Sequence, residues 1–337
     1  MSNKVMMIAE ISANHGHDIE IVKKSILKAK EIGCDAAKIQ SYTPDTITLD
    51  CDNEYFQIDT GTIWDGTTLY KLYSEAFMPW EWHEELYEYA RSIDFPLLST
   101  PFDFTAVDLL EKCGNPIYKI ASFEITDIPL IKYAARLGKP MIISTGIATE
   151  EEIRDAVEAC HQVGNTDVCL LKCTSEYPAK LEDANLNTML DMKERFGCKT
   201  GLSDHTTGDA VAVAAAAMGA AVIEKHFILD KAIGGPDASF SMTPEEFGAM
   251  VEKVRLVEKI RGQVTYEITE KKQNSRKYAR SLFIAQDVKA GDKITPDNVR
   301  SVRPSNGLAP KEYDKVMGRE FAVDAEAGTP LSWDLIN

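Results

Sequence analysis

Eight short runs of apolar and β-branched residues recur along the first three quarters of the chain. They are 4–12 (KVMMIAEIS), 36–42 (AAKIQSY), 96–101 (PLLSTP), 117–122 (IYKIAS), 141–146 (MIISTG), 168–174 (VCLLKCT), 199–206 (KTGLSDHT) and 222–227 (VIEKHF). Each predicts a strand, and the apolar character is continuous along the runs, as in a parallel sheet covered on both faces. Stretches with apolar residues at i, i+3 and i+4 lie between them and predict amphipathic helices. Ile19 to Ile32 is one, with Ile21, Val22, Ile26, Leu27 and Ala29 on its apolar side. Thr149-Glu150-Glu151-Glu152 opens another in the manner of a capping box. Eight strand–helix units, complete by residue 262, predict an α/β chain folded as a (β/α)8 TIM barrel. The competing doubly wound open sheet is weakened because no G-x-G-x-x-G follows the first strand.

Two segments break this rhythm. Residues 43–78 form an unusually long connection between the second and third strands, followed by a helix predicted at 79–93 from Pro79. The connection carries Phe56, Trp64, Tyr70 and Tyr73, too aromatic for a disordered linker. Loops of that length are usually functional, so we expect a lid or wall on the substrate side, against the alternative of a packed structural insertion. After the barrel domain (1–262), residues 263–279 are polar and charged and predict a linker. A small β-rich domain follows at 280–337, in which Val288-Lys289-Ala290-Gly291-Asp292 is echoed by Asp324-Ala325-Glu326-Ala327-Gly328-Thr329. So few residues make a thin core, which predicts that this part leans on the barrel or on a second subunit.

The 337 residues give room for a large domain and a small one. A hydrophobic content of 44% with 27% charged residues is that of an ordinary globular protein. No run of about 18 apolar residues occurs, so no membrane span is expected. The start, Met1-Ser2-Asn3-Lys4-Val5, lacks a signal-peptide pattern. The expected location is cytoplasmic. A net charge of −16 argues against nucleic-acid binding, which needs clustered lysine and arginine; an anionic substrate would need a locally basic pocket. The seven cysteines, at 34, 51, 113, 160, 169, 173 and 198, are scattered and never spaced CxxC, which predicts reduced thiols.

In a barrel of this kind the chemistry sits at the C-terminal ends of the strands. Those ends here carry Glu10, Asn14 and His15; Lys38 and Gln40; Ser99 and Thr100; Lys119 and Ser122; Ser144-Thr145-Gly146; Thr174-Ser175-Glu176-Tyr177; Gly201, Ser203 and His205; and Glu224 and His226. Two lysines pointing into a barrel need anions. Glu10 and Glu224 are candidates. So is a ligand phosphate and carboxylate, cradled by Lys38, Lys119, the hydroxyls of Ser144, Ser175 and Ser203, and backbone N–H groups. His205 and His226, on successive strand ends with no cysteine expected nearby, suit an open catalytic site for Mn, Mg, Co or Zn. His83 and His161 read as helix residues, packed or on the surface. Asp237, in the loop after the last strand, is placed for a sugar hydroxyl, for a metal-bound water, or simply for a turn.

The same residues carry a resemblance. AEI-x-x-NH (9–15), KIQ (38–40), STPFD (99–103), YKIAS (118–122), STG (144–146), LKCTSEYP (171–178), GLSDHT (201–206), EKHF (224–227) and GGPD-x-SFS (234–241) resemble the sialic acid synthase family. RP-x-NGL (303–308) and AGTPL (327–331) are similar to its antifreeze-like (SAF) domain. Gly61 to Gly66, Leu69-Tyr70, Pro79 to His83 and Ser275 to Tyr278 are most similar to the branch that builds pseudaminic acid. The resemblance implies condensation of phosphoenolpyruvate with an open-chain N-acetylated amino sugar, with loss of phosphate by C–O cleavage. For that branch the acceptor is 2,4-diacetamido-2,4,6-trideoxy-L-altrose. It implies a divalent metal, Mn2+ before Mg2+ or Co2+, on His205 and His226. It implies phosphoenolpyruvate held by Lys38, Lys119, Thr100, Ser144 and Ser203, with Ser122 and Ser175 beside them. Gln40, Tyr177 and Asp237 would meet the sugar, and Arg303 would reach the barrel of a partner in a domain-swapped homodimer. Two departures separate the chain from sialic acid synthases proper: Gly16 stands where they carry glutamate after the Asn-His pair, and Ser175 stands where asparagine is common.

Overall fold

The protein is described here from a computed structural model, which covers residues 4–59, 61 and 64–337. Eight strands among the described residues close a parallel barrel in sequential order: β1 Met6–Glu10, β2 Ala36–Ser41, β3 Leu97–Pro101, β4 Tyr118–Ile120, β5 Met141–Ser144, β6 Val168–Cys173, β7 Lys199–Asp204 and β8 Val222–His226. All eight sequence-predicted strands are present, each a little shorter than its apolar run. Closure runs through β1 and β8, with Glu10 opposite His226.

The helices follow in chain order. They are α1 Ile19–Glu31, then α2 Pro44–Ile47 and α3 Leu69–Ala76 within the long connection, α4 His83–Ser92, α5 Phe104–Cys113, α6 Ile128–Ala135, α7 Glu150–Gln162, α8 Asn187–Phe196, α9 Ala210–Met218 and α10 Pro244–Arg261. In α7 the capping box forms as predicted, between Thr149 and Glu152. In α1 the side chain of Asp18 accepts from the Glu20 N–H, and Val22, Ser25, Ile26 and Ala29 are buried. Leu27 does not join them and is 37% exposed; successive helical residues turn by about 100°, so with Ile26 on the barrel Leu27 faces away. His83 is buried, with Nε2 2.7 Å from Ser41 Oγ, and His161 is exposed. No helix among the described residues is long and apolar enough to cross a membrane.

Strand side chains alternate between two environments. Met7, Ala9, Ala37, Ile39, Ile120 and Ile143 belong to the large core shared with the helices. Their neighbours Ile8, Ala36, Leu98, Ile142, Cys169, Leu171 and Val222 form a separate apolar cluster, the filling of the barrel. One step further along the same strand faces come Glu10, Lys38, Thr100, Lys119, Ser144, Ser203 and Glu224. The interior is therefore apolar at one end and polar at the C-terminal end. Gly201 marks the tightest point: a Cβ there would lie 2.2 Å from the Val222 carbonyl oxygen and 2.9 Å from Leu171 Cδ2.

A second compact unit begins at Gln263. The segment predicted as a linker contains a short helix, α11 Glu270–Arg276. Beyond it, β9 Ser281–Ile284 and β10 Val299–Val302 pair antiparallel, and α12 spans Tyr313–Val316. Leu282, Ile284, Val288, Ile294, Val299, Val316, Phe321 and Leu331 give this unit an apolar cluster of its own. The two echoed phrases meet each other: Val288 bridges Ala325 antiparallel, and Asp324 accepts from Ala290 N at 2.9 Å and from Lys289 Nζ at 2.8 Å.

Candidate active site

The floor of the polar end is built from four charges. Lys38 Nζ lies 2.5 Å from Glu10 Oε2 and 3.8 Å from Glu224 Oε1, and donates to Thr100 Oγ1 at 3.0 Å. Lys119 Nζ lies 3.1 Å from the same Glu224 oxygen, which also accepts from Ser203 Oγ at 3.4 Å. None of these residues is more than 5% exposed. Of the two sequence-stated sources of counter-charge, the carboxylates are in contact. Burial is the largest influence on Glu10 and lifts its carboxyl to about 7 against the attraction of Lys38. Burial acts the same way on Glu224, but Lys119 and Lys38 outweigh it and hold that carboxyl below its ordinary value. The two carboxyls of the floor are thus pushed in opposite directions, Glu10 up and Glu224 down. Ser144 Oγ, Glu10 Oε1 and Glu224 Oε2 are buried without a hydrogen-bond partner, which is uncommon in a folded interior and points to a polar ligand.

Above the floor stand the two histidines, their ring centroids 5.3 Å apart. His205 Nδ1 is 2.8 Å from the Thr174 carbonyl oxygen. An N–H donated there leaves the Nε2 lone pair free, the arrangement that orients a metal-binding imidazole. His226 Nδ1 is buried with no hydrogen-bond partner and lies 3.6 Å from Asp237 Oδ2. Burial, then the nearby positive groups, push His226 well below its ordinary value, so this ring is neutral. For His205 burial acts downward too, but Cys173 and the Thr174 carbonyl outweigh it. Among the described residues no group of three or more His, Cys, Asp and Glu side chains is placed to hold a metal. The nitrogens that could serve an open metal site, completed by water and substrate, are those of His205 and His226. Asp237 is more than a turn residue. Its carboxylate accepts from Ala13 N at 3.3 Å and from the Ser12 hydroxyl, and burial raises it in spite of them.

The remaining sequence-predicted residues fall around this centre. Ser175 Oγ donates to Ser122 Oγ at 2.8 Å, and Ser122 accepts from Ile147 N. Gly146 makes room for them, since a Cβ would sit 2.2 Å from Ser175 Oγ. Tyr177 packs 4.3 Å from the His205 ring, and Gln40 is half-buried on the inward face of β2. Arg303 belongs to the second unit and is exposed there. Asn14 and His15 turn out to be fastenings: Asn14 Nδ2 donates to Phe227 O and Ser241 Oγ, and His15 Nε2 meets Ala76 O. Trp64, one of the aromatics expected in a substrate-side wall, has its ring 5.6 Å from Tyr177, and its Nε1 donates to Pro236 O at 3.3 Å; sequence reasoning did not foresee these partners. The long connection does form a wall of the mouth, and its aromatic content was the only signal. The buried pair Lys225–Asp204, 2.8 Å apart, was also missed: alternation turns Lys225 away from Glu224 and His226, but its partner lies on the neighbouring strand, which no local pattern reveals.

Residues 25–266 match the model of the NeuB family and residues 279–337 that of the SAF domain. The chain belongs to the NeuB family. It is 46% identical to the pseudaminic acid synthase of Helicobacter pylori, over 97% of this chain and 96% of that protein. It is 35% identical to the N,N'-diacetyllegionaminic acid synthase of Campylobacter jejuni, over 94% and 95%. The crystal structure of N-acetylneuraminic acid synthetase from Leptospira borgpetersenii in complex with citrate superposes with a TM-score of 0.72 at 30% identity, covering 81% of this chain and 90% of that one.

Proposed function

We propose that this chain condenses phosphoenolpyruvate with the open-chain form of 2,4-diacetamido-2,4,6-trideoxy-L-altrose and water, giving pseudaminic acid and phosphate. The observation that carries the reading is the pair of buried lysines sharing two carboxylates beneath two histidines, in a chain 46% identical to a pseudaminic acid synthase over nearly its whole length. Lys38 and Lys119 hold the anionic donor, with hydroxyls from Thr100, Ser122, Ser144, Ser175 and Ser203. The upward push on Glu10 favours its neutral form, which would leave the floor more positive for the donor. Gln40, Tyr177 and Asp237 orient the sugar; fixing two reactants side by side supplies much of the rate. His205 and His226 would hold a divalent cation, Mn2+ first. Such an ion supplies Lewis acidity toward the sugar aldehyde. In a domain-swapped homodimer Arg303 of one copy completes the sugar site of the other.

The test is phosphate release from phosphoenolpyruvate with Mn2+, offering the diacetamido-trideoxy-altrose, the legionaminic precursor and N-acetylmannosamine in parallel. Release with the altrose alone is expected. Release only with another sugar keeps the condensation and moves the acceptor to a sister branch. Release with none overturns the synthase reading in favour of a metal-dependent aldolase or isomerase, which yields no phosphate. His226→Ala is expected to lower turnover at least about 100-fold and to reduce bound metal measured by mass spectrometry, with an unchanged circular dichroism spectrum. Normal activity in the metal-stripped variant would sink the metal assignment.

A further inference from the structure

The turn from β1 into α1 is held in an uncommon conformation. Ser12, Gly16 and His17 have φ of 49°, 53° and 53°, a left-handed region that non-glycine residues keep only where their surroundings hold them. The first half of the turn grips the Asp237 segment through Ser12, Ala13 N and Asn14. The second half grips α3. His17 N–H donates to His15 Nδ1 at 3.1 Å, so the His15 proton sits on Nε2, which donates to Ala76 O at 3.2 Å. His17 Nε2 meets Glu75 O at 2.9 Å. Both acceptors are carbonyls at the end of a helix, where intrahelical partners are lacking.

The helix they hold has little else. α3 fully buries none of its side chains. Its other attachments among the described residues include a ring contact of 5.6 Å between Tyr73 and Tyr42, the hydrogen bond from Tyr70 to Asp45 and, at its first residue, one from Leu69 N to Phe56 O at 2.9 Å. Before its first turn the chain carries Trp64, seated between Tyr177 and Pro236. The donor-holding lysines lie on the floor, away from this wall.

We propose that His15 and His17 are specificity-determining positioning residues. By fastening the carbonyl end of α3 they hold Trp64 against Tyr177 and the Asp237 turn, and so set the width of the acceptor pocket. The proposal rests on the synthase reading, which assigns Tyr177 and Asp237 to the sugar. It is tested with His17→Ala, with His17→Gln, which keeps an N–H donor at similar reach, and with His15→Phe, which keeps a ring against Trp82, whose centroid lies 6.0 Å from that of His15, but no donor. The KM of each substrate is measured, together with amide hydrogen exchange over residues 69–78. His17→Ala is expected to raise the acceptor KM about fivefold, the loss of one modest hydrogen bond, with the donor KM held within about twofold. Exchange over 69–78 should quicken, His17→Gln should restore both readouts, and His15→Phe, at a buried position, should exceed His17→Ala. Parallel rises in both KM values, unchanged exchange, or no rescue by glutamine would overturn the proposal. Should the wild-type protein release no phosphate with any sugar, the specificity half falls with the synthase reading, and exchange alone decides whether the histidines fasten α3.

Discussion

Glu124 shows how much a single buried carboxyl can shape behaviour without joining the chemistry. It lies in the turn after β4, and its Oε2 is buried without a hydrogen-bond partner. Burial, more than any neighbour, raises it from 4.5 to about 7. A raised folded value means that its contribution to stability is complete below about 4.5 and is lost as pH climbs through 7. At about 1.4 kcal/mol per pH unit the ceiling is about 3 kcal/mol. Glu124→Gln, neutral throughout, should therefore gain on the wild type between pH 5 and 8 in thermal melts; a difference that does not change with pH would refute this. Individual side chains were legible in the sequence where strand alternation fixes their face, as for Lys38, Lys119, Ser203 and His226. They were not legible where a long-range partner decides. Glu10 and Glu224 could be named as partners of the lysines, but nothing local says which lysine takes which carboxylate, or that Asn14 ties two loops together.

The eight strands could be placed from sequence because continuous apolar runs record burial on both faces, a property each strand has by itself. Boundaries were less certain, since the polar residues that extend each run belong to the mouth. The wall was half legible: its aromatics announced packing, but α3 has no buried stripe for a pattern to reveal. The filling of the barrel makes a prediction about β7. Gly201→Ala would press a methyl group into the β8 backbone, where no rotamer change relieves it. Overpacking of this kind costs roughly 1–3 kcal/mol or more. The variant should unfold at clearly lower denaturant, with β7 and β8 exchanging first. An unchanged midpoint would mean that the two strands can part at little cost.

The two compact units each hold an apolar cluster, and the second was legible as a separate phrase of sequence before any coordinates. Whether a second copy takes part was not legible in the sequence, because partner residues leave no periodicity. The proposed role of Arg303 is checked by mixing Lys119→Ala with Arg303→Ala. Heterodimers carry one site free of both substitutions, so activity should return to a sizeable fraction of wild type. No recovery in demonstrated heterodimers would exclude a shared site. A last consequence follows from the apolar filling beneath the lysines. On the proposed reading the donor lies on the lysines just above that filling and the sugar nearer the mouth. Depth in the barrel would then become order in time: donor first, then sugar, with phosphate the last to leave. Product-inhibition kinetics showing random order would exclude it.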